Sequence, residues 1–573
     1  MRVYEAIVRG LEDLGVRTAF GGNGENIAGL TVALARSRRI RPILTRHELG
    51  AAYMAGGYAM FTRELGVCFA TVGPGAFNLV TGLAVAMSDS YPVLALTGYV
   101  DERFAGRGGI NDTSGIGDTP DSQALFAATT KRSYVVQRPE EAIDVLEEAV
   151  DVALSGRPGP VHVAVAQQLA HPAVEVPDYR APVLSARPPQ PAPGDVAAMA
   201  DRLAAAIGAG RSVLVLAGFG AVRSHAHDTV RRFVERFQLP LVTTLDGKGI
   251  IPERHPLCRG VFSESGHAHA LRAFRDADVV LAIGNSLNQH ATFGLREDLF
   301  EDKELLQVNI SAADIGRQYP ATVGMVADAD PAVAALTDAL SQRLPAPPPP
   351  APADPGPDRD VGPLAGLTRH VHPGRLAEAM GRLLPPGGVI LADAGAHLAW
   401  LGYHLALEDG QAFHKCGAFG PMAANTTAAI GIKAAQPGRA VVVGCGDGCF
   451  AMSGLELMTA VENELPVVWV IFDDAELKLI RLYQLATYGH TGLVDLAPPD
   501  FAAVARACGA DGYRVETIEE FEKAYAAALA SPRPSVIDAR ITRWALPHYT
   551  SSPKGPLHGA WEMLVDRFSP PGG

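Results

Sequence analysis

The sequence predicts an α/β protein of three doubly wound parallel-sheet domains. Three observations predict it: a chain of 573 residues, a strand–glycine turn–helix–proline–strand pattern that occurs three times, and two proline-rich segments lying between the occurrences. At roughly 100–200 residues per domain, the length requires about three cores. An apolar fraction of 48% against 19% charged supplies those cores and excludes a disordered chain.

The elements follow in order. Ile7, Leu11 and Leu14 alternate with Glu5, Glu12 and Asp13, which reads as an amphipathic helix and not a secretory leader. Residues 42–45 read as a strand, followed from Glu48 by an Ala/Gly-rich helix with almost no charge until Arg63. The repeated pattern then begins. Residues 67–72 run into Gly73-Pro74-Gly75, a helical stretch reaches Ser90, and a strand starts at Pro92. In the middle third, residues 213–217 lead to Gly218 and Gly220, a helix, then Pro240 and a strand. In the last third, residues 440–443 lead to Gly446-Asp447-Gly448, a helix, then Pro466 and the strand 467–471. Continuous apolar strands alternating with helices mark parallel sheets covered on both faces. Ligands of such sheets sit at the carboxyl ends of strands, where these glycines fall. A shared structural unit alone accounts for the repetition; a ligand is expected at the first and third turns.

The segments 171–194 and 344–364 read as extended linkers, because proline lacks the donor that helix and sheet require. They delimit domains at 1–170, 195–343 and 365–555, with a C-terminal tail at 556–573. A net charge of −13 argues against a nucleic-acid or anionic-membrane partner, and no basic run extends beyond Arg36, Arg38, Arg39 and Arg41. No stretch of about 18 uninterrupted apolar residues is present to span a bilayer. Six cysteines form neither a disulfide framework nor a zinc spacing, although Cys445 and Cys449 are close. A cytoplasmic protein is expected.

Gly446-Asp447-Gly448 alone is a common turn. Between a strand and a helix, its N–H groups can face a phosphate, and Asp447 can offer a hard oxygen to Mg²⁺. Residues 449–472 then return the chain to Asp473-Asp474. A parallel neighbouring strand would bring Asp474 beside Asp447, although an Asp pair is also an ordinary strand-end turn. Glu48 stands between a strand and an uncharged helix, either as a helix N-terminal charge or as a functional acid.

These motifs together resemble the thiamine-diphosphate-dependent enzymes. The whole chain looks like the branch containing acetohydroxyacid synthase, benzoylformate decarboxylase and related 2-oxoacid decarboxylases and carboligases. The resemblance implies pyrimidine-binding, central and diphosphate-binding domains in that order, with thiamine diphosphate and Mg²⁺ as cofactors. It implies Asp447, Asp474 and the backbone carbonyl of Glu476 as metal ligands. Asp473-Asp474 stands where the family usually has Asn-Asn, which keeps an oxygen donor and adds negative charge. The segment from Thr45-Arg46-His47-Glu48 to Ala59 resembles the one carrying the activating glutamate, so Glu48 would hydrogen-bond the pyrimidine ring nitrogen. Met422, in Gly417-Ala418-Phe419-Gly420-Pro421-Met422, matches the residue that wedges the cofactor into its bent form; by itself a Met is more often core filler. The resemblance also implies cofactor contacts from Gly73, Pro74, Asn78, Gly395, Ala396, His397, Gly420, Gly446, Gly448 and Leu477.

Substrate positions diverge from the synthases. Asn23, Glu25, Asp118, Lys478 and Tyr483 are candidate contacts, each equally readable as surface. Gly284-Asn285-Ser286-Leu287-Asn288-Gln289 lacks the Arg- and Asp-rich pattern of flavin-binding members, which argues against FAD. The resemblance implies a non-oxidative lyase or transferase, acetolactate synthase-like. It would decarboxylate a 2-oxoacid to an enamine that is protonated or adds to a second carbonyl. Cleavage of a diketone, acyl transfer to another acceptor, and a catalytically silent cofactor-binding homologue are the alternatives. Because Glu48 and Asp447 belong to different domains, and family sites form between chains, a homodimer or homotetramer is expected.

Overall fold

The computed structural model describes residues 1–171, 173–344 and 370–547. The second expected linker, apart from Leu344, and the tail at 556–573 lie outside the described residues. Three six-stranded sheets organise the chain, and every strand pairing is parallel.

The first sheet runs, in spatial order, Arg41–Leu44, Thr18–Gly21, Gly66–Ala70, Val93–Tyr99, Val161–Ala166 and Ser133–Val136. The third runs Ala412–Lys415, Val389–Ala392, Val441–Gly446, Val467–Asp473, Ser535–Arg540 and Asp511–Val515, which is the same order of strands counted within its own domain. The second is wired differently. Its strands Cys258–Val261, Leu241–Thr243, Val213–Ala217, Val279–Ile283, Glu304–Asn309 and Val323–Val326 lie in the order 3-2-1-4-5-6, the doubly wound dinucleotide-type arrangement. The local motif therefore occurs three times, but only the outer two domains share a topology.

Strand content follows from the residues. Val441, Val442 and Val443 are β-branched and wholly buried, as are Val467 and Ile471 in the neighbouring strand. The helical stretches between glycine turn and proline are each broken. Pro74–Asn78 precedes Val80–Asp89, and Asp447–Ser453 gives way to a tighter turn before Leu457–Glu462. Residues 173–192 lie over the first domain, held by bonds such as Tyr179 Oη to Asp13 Oδ2 (2.6 Å) and Ser185 N to Asp151 Oδ1 (2.9 Å).

The first and third domains share one core, in which Phe20, Ile43, Met54, Ile430, Val443 and Trp469 pack together. The helix Glu48–Thr62 crosses the helix Ala424–Ala435 at near backbone contact. A Cβ at Gly57 would lie 2.2 Å from the Ala428 carbonyl oxygen, and one at Gly431 would lie 1.9 Å from that of Met54. No described helix is long and apolar enough to cross a membrane. None of the six cysteines is in a disulfide.

Candidate active site

Glu48 is the first residue of its helix, one short turn past the carboxyl end of Arg41–Leu44. His47 caps that helix, its Nδ1 accepting from Leu49 N at 3.1 Å. Gly73, at φ 71° in the left-handed region that favours glycine, starts the helix Pro74–Asn78 and carries Asn78 toward the acid. Asn78 Nδ2 donates to Glu48 Oε2 at 3.0 Å. The other oxygen is walled by glycines: a Cβ on Gly75 would stand 3.1 Å from Oε1, and one on Gly22 would stand 3.3 Å away. One oxygen is thus held by an amide while the second faces the backbone of Gly22 and Gly75, with the Thr71 side chain beside Gly75.

A second carboxylate supports this arrangement from the third domain. Glu456, only 4% exposed, accepts from the backbone N–H groups of Arg46 (3.1 and 3.2 Å) and His47 (2.8 Å) and from Thr459 Oγ1 (2.6 Å). It fixes the backbone immediately before Glu48.

The second constellation lies at the carboxyl end of the third sheet. Val441–Gly446 and Val467–Asp473 pair with Gly446 opposite Phe472, so Asp447 and Asp474 emerge side by side. Asp447 is buried; its Oδ1 accepts from Gly448 N (2.7 Å), and its Oδ2 has no hydrogen-bond partner among the described residues. Burial, and then the charge of Asp474, push the Asp447 carboxyl up to about 7. Burial also raises Asp474, to about 6, against the opposing pull of Lys478. Glu476 goes the other way: burial lifts it, but hydrogen bonds from Lys478 and Arg543 outweigh that and hold it below the usual range. Ala475, between them, sits at φ 58°, a strained conformation for alanine that turns the chain sharply between the two acids.

Met422 and Leu477 close over the turn, each 3.1 Å from where a Gly448 Cβ would stand. Asp393, fully buried, accepts from Thr426 Oγ1 (2.6 Å) and from the backbone N–H groups of Thr426 and Asn425, fixing the start of the helix that follows Met422. His397 is buried, its Nε2 has no hydrogen-bond partner among the described residues, and burial lowers its ring to about 4, so it is neutral near pH 7.

Two raised carboxyls, one with an orphaned oxygen, are the electrostatic condition that a dication relieves. No group of three or more His, Cys, Asp or Glu side chains among the described residues is placed to hold a metal. A two-carboxylate edge therefore suits a hard ion that completes its shell with carbonyl, phosphate and water oxygens, as Mg²⁺ does. The helix after Gly446 is seven residues long, so its dipole is a minor contributor beside such an ion.

Family models match each of the three domains. The thiamine pyrophosphate enzyme N-terminal TPP binding domain covers residues 1–121, the central domain 200–336, and the C-terminal TPP binding domain 393–539. The chain belongs to the thiamine pyrophosphate enzymes. It is 31% identical over 566 residues to the probable acetolactate synthase large subunit of Methanocaldococcus jannaschii, covering 94% of this chain and 92% of that one. To the acetolactate synthase large subunit of Corynebacterium glutamicum it is 30% identical over 560 residues, covering 93% and 86%. To the isozyme 3 large subunit of Escherichia coli it is 28% identical over 537 residues, covering 92% of each.

In this thiamine pyrophosphate enzyme, the expected acid-side residues Glu48, Gly73, Pro74 and Asn78 come together in the first domain. Gly446, Asp447, Gly448, Asp474, Met422, Leu477 and His397 come together in the third. The expected substrate positions are dispersed. Glu25 and Asp118 are exposed. Asn23 Oδ1 accepts from Gly24 N (2.8 Å) and Thr31 Oγ1 (3.0 Å), and Tyr483 is 41% exposed beside Tyr488. Lys478 turns back onto Asp474 and Glu476. Sequence reasoning missed Glu456 and the role of Asp393. It also missed a cleft of about 1500 Å³ bordered by Asp89, Phe219, Asp246, Asn285, Gly395 and Lys415, drawn from all three domains. An acid followed by Thr459, close after the glycine turn, was the available signal for Glu456.

Proposed function

We propose that the chain catalyses thiamine-diphosphate-dependent, non-oxidative decarboxylation of a 2-oxoacid, with carboligation of the product to a second carbonyl. The observation that carries this reading is Glu48, with one oxygen fixed by Asn78 and the other facing glycine walls. That is the arrangement a carboxyl needs to bond a flat heterocycle at its ring nitrogen. The cofactor, when bound, supplies the electron sink for the carbanion left by CO₂.

The residues divide the remaining work. Glu48 holds or returns the proton at the pyrimidine nitrogen, and Asn78 keeps its second oxygen from rotating away. Gly73 and Pro74 shape the wall beside it. Asp447, Asp474 and the Glu476 carbonyl would hold Mg²⁺ on the diphosphate. Gly395, Ala396, His397, Gly446 and Gly448 would line the diphosphate, with neutral His397 able to donate to a phosphate oxygen. Met422, Leu477 and Gly420 would support the cofactor between its two ends. Asn23, Glu25, Asp118 and Tyr483 remain our candidates for the substrate side. Domain limits of 1–170, 195–343 and 365–555 fit this division, and we place the enzyme in the cytoplasm.

Glu48 makes its hydrogen bond and its glycine contacts within the first domain, and Asp447 faces Asp474 within the third. We therefore read the working assembly as a homodimer or homotetramer in which a second copy completes each site. The test is to titrate apo-protein with thiamine diphosphate and Mg²⁺, then to assay 2-oxoacids alone and with aldehyde acceptors for CO₂ and coupled product. Glu48→Gln should retain cofactor binding and lose turnover by at least about a hundredfold. Full turnover in that variant would overturn the mechanism, and an active monomer by sedimentation would overturn the shared site.

A further inference from the structure

Four buried acids crowd one edge of the third sheet: Asp447, Asp473, Asp474 and Glu476. Buried carboxylates persist by hydrogen bonding, by taking up a proton, by binding a metal or by pairing with a counter-charge. Asp473 has Arg540, reaching over from the adjacent strand, and it also faces Asp538, whose carboxyl burial and Asp473 push up to about 7. Glu476 has Arg481 (2.6 Å) and Arg543 (2.8 Å). Among the described residues, Asp474 has one ion-pair partner, Lys478, with Nζ 3.6 Å from Oδ2. That ammonium is not free to leave. It also pairs with Glu476 and donates to the Arg543 carbonyl at 2.5 Å, and its side chain is only 10% exposed. Among the described residues, Asp447 Oδ2 has no hydrogen-bond partner and Asp447 has no such cation.

We propose that Lys478 is a built-in counter-ion of the cation site, balancing the charge of Asp474 and thereby setting how tightly a divalent ion is held. This rests on the reading of Asp447 and Asp474 as metal ligands. Asp474 brings one negative charge toward the ion and Lys478, at the start of the helix that follows the turn, cancels it from 3.6 Å, so the pair acts as a nearly neutral oxygen donor. Lys478 thus belongs to the electrostatics of the metal and not to substrate recognition.

The test is Mn²⁺ binding, followed by electron paramagnetic resonance on the full chain with saturating thiamine diphosphate, in four single variants and one double. Lys478→Met should tighten Mn²⁺ about tenfold, and Asp474→Asn should weaken it by a similar factor. The double variant should return to within about threefold of wild type, and Lys478→Arg should match wild type. Asp447→Ala should lose Mn²⁺ binding. If it does while Lys478→Met is unchanged or weaker, or while Lys478→Arg tightens as much as Lys478→Met, the counter-ion proposal is wrong and the metal site stands. If Asp447→Ala binds Mn²⁺ like wild type, the metal-site reading fails and the proposal falls with it.

Discussion

Replacing Glu456 by Gln tests whether the third domain sets the position of the catalytic acid. The carboxylate receives two backbone N–H donors, from Arg46 and His47, plus the Thr459 hydroxyl. Hydrogen bonds to a charged acceptor contribute about 1.5–3 kcal/mol against about 0.5–1.5 for a neutral one. A glutamine can keep its carbonyl on both N–H groups while its amide turns to Thr459, so the change weakens two bonds by about 1 kcal/mol each. The expected destabilisation is therefore about 2 kcal/mol, located at the backbone that precedes Glu48. A catalytic group displaced by roughly 1 Å loses up to ~100-fold in rate, so turnover should fall at least about tenfold. Cofactor and Mg²⁺ affinity, which our reading assigns mainly to Asp447, Asp474 and the turn around them, should change by less than about threefold. The assay is product formation at saturating cofactor, run beside cofactor titration and thermal unfolding. Unchanged turnover with an unchanged melting temperature would refute the argument; a large loss of metal affinity would mean that Glu456 acts on the cation edge instead.

Other outcomes are specific. Asn78→Ala removes the amide that holds Glu48 Oε2, and turnover should drop about tenfold with the fold intact by circular dichroism. Asp447 and Asp474 are raised above the ordinary carboxyl value of 3.8 to about 7 and about 6, so the metal-free fold retains protons that an unfolded chain has released. Their contribution to stability is therefore full below about pH 4 and lost as pH rises through 6 to 7. A divalent ion needs the ionised acids, so Mn²⁺ affinity should weaken about tenfold from pH 7.5 to 6; a flat titration series would contradict it. Gly57→Ala puts a methyl 2.2 Å from the Ala428 carbonyl and should cost about 1–3 kcal/mol, seen as a lower melting temperature with the cation site unaffected.

What the sequence made legible was local and periodic. Apolar runs such as 440–443 and 467–471 announced buried strands, and the glycines after them marked the turns that carry Asp447 and Gly75. A strand pair separated by one helix fixed the meeting of Asp447 and Asp474, because a parallel crossover leaves little alternative. The rest depends on contacts that have no period. Arg540 reaches Asp473 from a neighbouring strand 67 residues later, and Glu456 grips His47 across 409 residues. Nothing in either local sequence announces its partner. Lys478 read equally well as a substrate contact or as surface because its targets are set by the strained turn at Ala475, which composition does not reveal. The different strand order of the central sheet was hidden for a similar reason: the motif specifies the next strand but not which side of the sheet it joins.

The seam between Glu48–Thr62 and Ala424–Ala435 has a mechanical consequence. Two helices that touch at their peptide groups at Gly57 and Gly431, with Met54 and Ile430 packed around the contact, form a junction with little room to slide. The outer domains must then travel together as one block.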